Sequence, residues 1–141
     1  MSTRRRRSNY ALVEFSQHLG GVEQLNLPWA EFVDDRTPDR EFEVPTANAI
    51  DPYVTIQAYD VGVYGHEILI NGETVSGFDL PPADGWQCWM DFLAGTELDE
   101  GSNTVAIARD EGTDDSFAVG SVRVTWREPV DTPSAPGSEG T

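Results

Sequence analysis

The sequence predicts an all-β protein, an antiparallel β-sandwich or jelly roll of about eight strands. Three observations carry that expectation. Short segments alternate apolar and polar residues with a period of two. Clusters of Gly, Pro, Asn and Asp separate them, and no stretch long enough for a helix shows an apolar repeat near 3.6 residues.

Taken in order, Tyr10 to Phe15 and Arg40 to Val44 read as the first strands. Tyr53 to Asp60 sets Val54, Ile56 and Ala58 against Tyr53, Thr55, Gln57 and Tyr59, a half-buried strand with its core stripe marked. His66 to Ile70 ends in Asn71-Gly72, the pair that a two-residue type I′ hairpin favours, and Val75 to Phe78 can return from that turn. Trp86 to Phe92 places Trp86, Cys88, Met90 and Phe92 on one side, taken as the core side, with Gln87, Trp89 and Asp91 opposite. Leu93 to Leu98 has room for one helical turn. Asn103 to Arg109 and Ser116 to Arg127 complete the set, with Gly120 marking a bulge or bend in the last. The expected picture is two stacked layers with tryptophans between them.

The ends read differently. Residues 1–8 are polar and carry four of the nine arginines, at Arg4 to Arg7, which reads as a disordered basic tail. An arm that pairs with the protein's own acidic face or with RNA is the alternative. A twin-arginine export signal is not supported, because Tyr10 to Phe15 contains a charge and opens no apolar stretch. Residues 129–141 are rich in Pro, Gly and Ser and read as a flexible tail. The folded domain is then expected over 9–128.

Charge narrows the function classes. The 141-residue chain has 25 acidic residues, nine arginines and no lysine, for a net charge of −16. Such a body repels nucleic-acid backbones and anionic membranes. Self-repulsion fades at molar salt, where the Debye length is roughly 3 Å. In this the composition resembles haloarchaeal cytosolic proteins, and the resemblance implies a salt-adapted cytoplasmic protein. Cys88 is the only cysteine, so no intrachain disulfide is available.

Residues 68–107 carry a second resemblance. Ile-Leu-Ile-Asn-Gly from Ile68, the strand from Trp86 to Phe92, and Leu98-Asp-Glu-Gly-Ser-Asn-Thr-Val resemble the galactose-binding-domain-like jelly rolls of carbohydrate-binding modules and of accessory domains in glycoside hydrolases. The resemblance implies the fold, a carbohydrate or glycoconjugate ligand, and a structural Ca²⁺ at a loop. Physically, Gly101 suits a tight reversal and Asn103 suits bonding to backbone groups across it.

Trp89 is the expected platform for a sugar ring, since an indole turned away from the core can stack on a pyranose C–H face. Tyr53, Gln57, Tyr59, Arg109 and Arg123 are the strand residues expected around it. The plainer alternative packs Trp89 under the segment from Leu25 to Trp29 as a second core layer. His18 and His66 lack zinc-ligand spacing and read as structural or surface residues. Asp34, Asp35, Asp39, Asp110, Glu111, Asp114 and Asp115 read as solvated acidic loops rather than a specific ion site.

No nucleophile elbow, metalloprotease helix or phosphate loop occurs, and Cys88 on the presumed core face would be inert. Asp60 and Asp91 could form a glycosidase pair, but a chain this acidic always offers one. The expectation is a binding protein, not an enzyme. Its partner is a carbohydrate, or else a protein or second copy docked through an exposed aromatic sheet face.

Overall fold

In the computed structural model, the described residues are 5–23, 25–75, 79–93 and 98–130. Nine strands form among them: β1 (Arg6–Leu19), β2 (Glu31–Phe32), β3 (Arg40–Val44), β4 (Ile50–Val61), β5 (Glu67–Ile70), β6 (Glu73–Thr74), β7 (Ala83–Phe92), β8 (Gly101–Ala108) and β9 (Phe117–Pro129). A five-stranded sheet runs β2-β1-β9-β4-β7 and a four-stranded sheet runs β3-β8-β5-β6. Every pairing is antiparallel except β1 with β2. The fold is the expected β-sandwich. Among the described residues no helix is long and apolar enough to cross a membrane.

The core lies between the sheets because each strand turns one stripe inward. Val54, Ile56 and Ala58 of β4 and Val122, Val124 and Trp126 of β9 meet Ile68, Ile70, Val105, Ile107, Phe42 and Val44 of the smaller sheet. Burying each such aliphatic side chain contributes about 1.5–3 kcal/mol. The β4 alternation is therefore the one expected.

Turn chemistry follows the residues. Asn71 and Gly72 both adopt positive φ (53° and 82°) between Ile70 and Glu73, as a type I′ turn requires. Gly101 adopts φ 96°. Beside it Asn103 is buried, accepts from the Asp99 N–H at 2.8 Å and donates to the Asp99 and Gly101 carbonyls at 2.9 and 3.1 Å. Asn71 reaches across to the same Asn103 oxygen at 3.0 Å and accepts from the Thr104 N–H at 2.8 Å. One buried amide thus ties the β5–β6 hairpin to the start of β8. Two bulges shape the large sheet. At Gly120 two β9 residues oppose Gln57 alone, and at Ser16 (φ 50°) β1 slips against β9.

Several expectations need correction. β7 presents the opposite face: Val54, Ile56 and Ala58 stand opposite Asp91, Trp89 and Gln87, so those three share the inner side. Trp86, Cys88, Met90 and Phe92 consequently face outward, and Cys88 is exposed rather than in the core. Of the four tryptophans only Trp126 is buried. β2, a two-residue strand, had no sequence signal. Pairing also extends past the expected domain bounds, with Arg6, Arg7 and Ser8 opposite Pro129, Glu128 and Arg127. Residues 1–4 and 131–141 of the expected tails, residues 76–78 of the expected return strand and residues 94–97 of the expected helical turn lie outside the described residues.

Candidate ligand-binding face

The outer face of the five-stranded sheet collects the chemistry. In register, Tyr59, Gln57, Thr55 and Tyr53 of β4 stand beside Trp86, Cys88, Met90 and Phe92 of β7, while Arg123 and Thr125 of β9 lie on their other flank. Leu12 and Tyr10 of β1 extend the face beyond Arg123 and Thr125.

Aromatic rings stand at its two ends. At one, Trp86 packs against Tyr59 (centroids 5.3 Å apart) and against Trp29 (5.1 Å), which the loop before β2 brings over the sheet. At the other, Tyr53 meets Phe92 edge-on at 6.4 Å, and the Arg123 guanidinium lies 5.9 Å from the Tyr10 ring. Polar groups fill the middle, where Ser121 Oγ donates to Gln57 Oε1 at 3.1 Å. Two adjoining depressions share Gln57 and Cys88. One of about 340 Å³ is bounded by Trp86 and Gln87, and one of about 150 Å³ by Leu12, Thr55, Ser121 and Arg123.

The glycine at 120 explains how Trp86 lies where it does. A Cβ there would sit 3.2 Å from the indole and 3.5 Å from Gln57 Oε1, so the ring rests on the bare backbone of the β9 bulge. Trp86 keeps 54% of its surface exposed in that position.

The structure divides the expected site residues. Tyr53, Gln57, Tyr59 and Arg123 share the outer face. Trp89 does not: it lies on the inner side of β7 at the open margin of the sheet, 36% exposed. Nor is Trp89 the indole under the Leu25–Trp29 segment; that contact belongs to Trp86. Arg109 is also elsewhere, buried after β8 with Nη2 and Nε donating to Asp35 at 2.6 and 2.9 Å and Nη1 donating to the Thr113 carbonyl at 2.7 Å. It fastens two loops. Trp86, Phe92 and Trp29 also stand on this face; the register against β4 finds the first two, whereas Trp29 arrives from the loop before β2.

Several polar groups away from this face have structural partners. His66 is buried and stacked on Phe117; its Nδ1 accepts from the Asp110 N–H at 2.9 Å, so Nε2 carries the proton donated to Asp115 at 2.6 Å. Asp115 also accepts from Gly62, and Asp110 from Gly112. Asp35, likewise, is held by Arg109. Among the described residues no three His, Cys, Asp or Glu side chains group so as to hold a metal ion. His18 is buried against Phe32, its Nε2 without a partner among the described residues; burial pushes its pKa down, against the opposing pull of Glu23. Glu128 is buried too. Burial alone would raise its pKa, but hydrogen bonds from Trp126, Asn9 and Arg7 and the Arg7 charge hold it below the usual range.

Comparison with known proteins places the fold. The CBM36-1 domain of a multidomain xylanase from the hindgut metagenome of Trinervitermes trinervoides matches with a TM-score of 0.55 and 10% identity over 82% of this chain and 96% of its own. A family 35 carbohydrate-binding module from an environmental isolate matches with a TM-score of 0.52 and 17% identity over 87% and 99%. Dimeric latent PorU from Porphyromonas gingivalis matches with a TM-score of 0.54 and 10% identity over 88% of this chain but 13% of its own. At these identities the likeness is one of fold. No curated protein matches by sequence. A family model described as a family of unknown function (DUF7383) matches residues 7–128, and the chain belongs to that family.

Proposed function

We propose that this member of the DUF7383 family is a non-catalytic binding module for carbohydrate or glycoconjugate, whose ligand lies across the outer face of the five-stranded sheet. One observation carries the reading: an exposed indole, packed against the bare backbone of Gly120, borders a depression lined by the Gln57 amide, with Ser121 and Arg123 beyond it. A sugar ring has an apolar face for the indole and hydroxyls for the amide, hydroxyl and guanidinium. The fold shared with two carbohydrate-binding modules supports the same reading. The lysine-free acidic surface supports a salt-filled cytosol as its setting.

The test is a glycan array with the full chain in molar KCl, followed by tryptophan-fluorescence titration of any hit. Trp86→Ala should weaken binding by about tenfold or more, the equivalent of roughly 1.4 kcal/mol. Trp89→Ala should leave it within about twofold, which is about 0.4 kcal/mol. A blank array, or equal losses for the two variants, overturns the assignment. Leu12, Met90 and Phe92, exposed on the same face, favour a second reading in which a protein docks there. A blank array with a protein partner lost in Leu12→Asp would support it.

A further inference from the structure

We propose that β7 is a dimerisation edge, through which two copies pair antiparallel and join their five-stranded sheets into one. The inference stands on the backbone and does not depend on a carbohydrate ligand.

Among the described residues β7 closes its sheet with nothing beyond it. The Leu93 N–H donates to the Pro52 carbonyl at 3.0 Å, and these residues continue the Tyr53–Phe92 register. Antiparallel pairs alternate between bonded and non-bonded, so Asp91, Trp89 and Gln87 also turn their backbone groups toward β4. Trp86, Cys88 and Met90 therefore aim their N–H and C=O groups at the open edge, while the Phe92 N–H there donates to Asp91 Oδ1 at 2.8 Å. Exposed Trp86, Trp89, Met90 and Phe92 side chains flank it. The strand contains no proline, and the chain has no lysine to blunt it.

Charge selects the partner. A chain of net charge −16 can pair only where acids avoid acids. In a two-fold antiparallel pair, facing residues lie on the same side of the sheet, so both are even-numbered or both odd-numbered along β7. Asp84 and Asp91 differ in this respect and cannot face each other. With the axis at Cys88, Trp86 faces Met90 and Asp91 faces Gly85. With the axis at Trp89, Trp86 faces Phe92 and Asp91 faces Gln87. The other sheet edges are poorer. β2 and β6 have two residues each, and β3, paired with itself about Phe42, sets Glu41 against Glu43.

Sedimentation equilibrium of the full chain in molar KCl should return twice the 15.5 kDa monomer mass. Hydrogen exchange followed residue by residue should show the Trp86, Cys88 and Met90 amides gaining about tenfold or more protection as concentration rises through the transition. Cys88→Pro removes one outward donor while sparing the β4 ladder, and should give a monomer with native near-UV circular dichroism. Leu12→Asp, on the sheet face but away from this edge, should still dimerise. A native chain that stays monomeric overturns the proposal, as does a dimer in which those three amides exchange freely or one that Leu12→Asp abolishes. Should Cys88→Pro fail to fold, the amide protection of the native chain decides alone.

Discussion

Asn103→Ala is expected to be the most damaging conservative truncation outside the apolar core. The side chain makes four hydrogen bonds, all lost together: two accepted, from the Asp99 N–H and from Asn71 Nδ2, and two donated, to the Asp99 and Gly101 carbonyls. A hydrogen bond contributes a net ~1 kcal/mol, and a buried group left unpaired costs ~1–3 kcal/mol. Asp99 and Asn71 lie at the surface and recover part of their bonding from water, so the expected loss is about 3 kcal/mol. For a domain of this size that is a fall in Tm of roughly 10–15 °C. Urea titration at high salt, read by tryptophan fluorescence, measures it directly. Asn71→Gly keeps the turn's backbone freedom while deleting the cross-link, and a double-mutant cycle should give a coupling of about 1 kcal/mol. A loss for Asn103→Ala below about 1 kcal/mol would refute the claim that this amide joins the hairpin to β8.

Three further outcomes follow from charge and burial. Glu128 holds a lowered pKa in the folded state, so below the ordinary glutamate value the unfolded chain takes up a proton that the folded chain refuses. Its contribution is complete above that value and is lost as pH falls through the folded one; Glu128→Gln should flatten the acid limb of a plot of urea midpoint against pH, and an unchanged limb would contradict this. His18 is also lowered, so stability should decline as pH falls below about 6.5, the ordinary histidine value. His18→Phe should erase that slope without lowering the midpoint at neutral pH, and a persisting slope would assign it elsewhere. Dialysis from molar KCl into dilute buffer should abolish the near-UV circular dichroism, because five arginines face 25 acids from residue 8 onward; an unchanged spectrum would remove the salt-adaptation argument.

Legibility differed from strand to strand for physical reasons. β4 could be phased because only one of its stripes is aliphatic, and the Asn71–Gly72 turn because both residues tolerate positive φ. β7 could not be phased alone. Both of its stripes contain large apolar groups, and the richer one faces outward because an edge strand's inner stripe covers only the margin of the core. Gln87 accordingly donates to the Pro81 carbonyl at 2.7 Å rather than packing centrally. That one inversion puts Trp86 rather than Trp89 on the outer face beside Tyr53, Gln57, Tyr59 and Arg123. Arg109 lies away from that face, held by a buried pairing with Asp35 that spans 74 positions and leaves no local pattern. β2, with two residues, is held by its β1 partner rather than by periodicity of its own.

The meeting of β1 and β9 sets how the domain would bear a load. Arg6 stands opposite Pro129, Val130 donates to the Arg5 carbonyl at 2.9 Å, and Arg7 clasps Glu128 at 2.9 Å, so both ends of the fold leave from the same corner. Tension applied between those ends opens the ladder rung by rung, like a zip, instead of shearing many rungs at once. The first rungs to part would include the Arg7–Glu128 clasp, which leaves this corner the mechanical weak point of the sandwich.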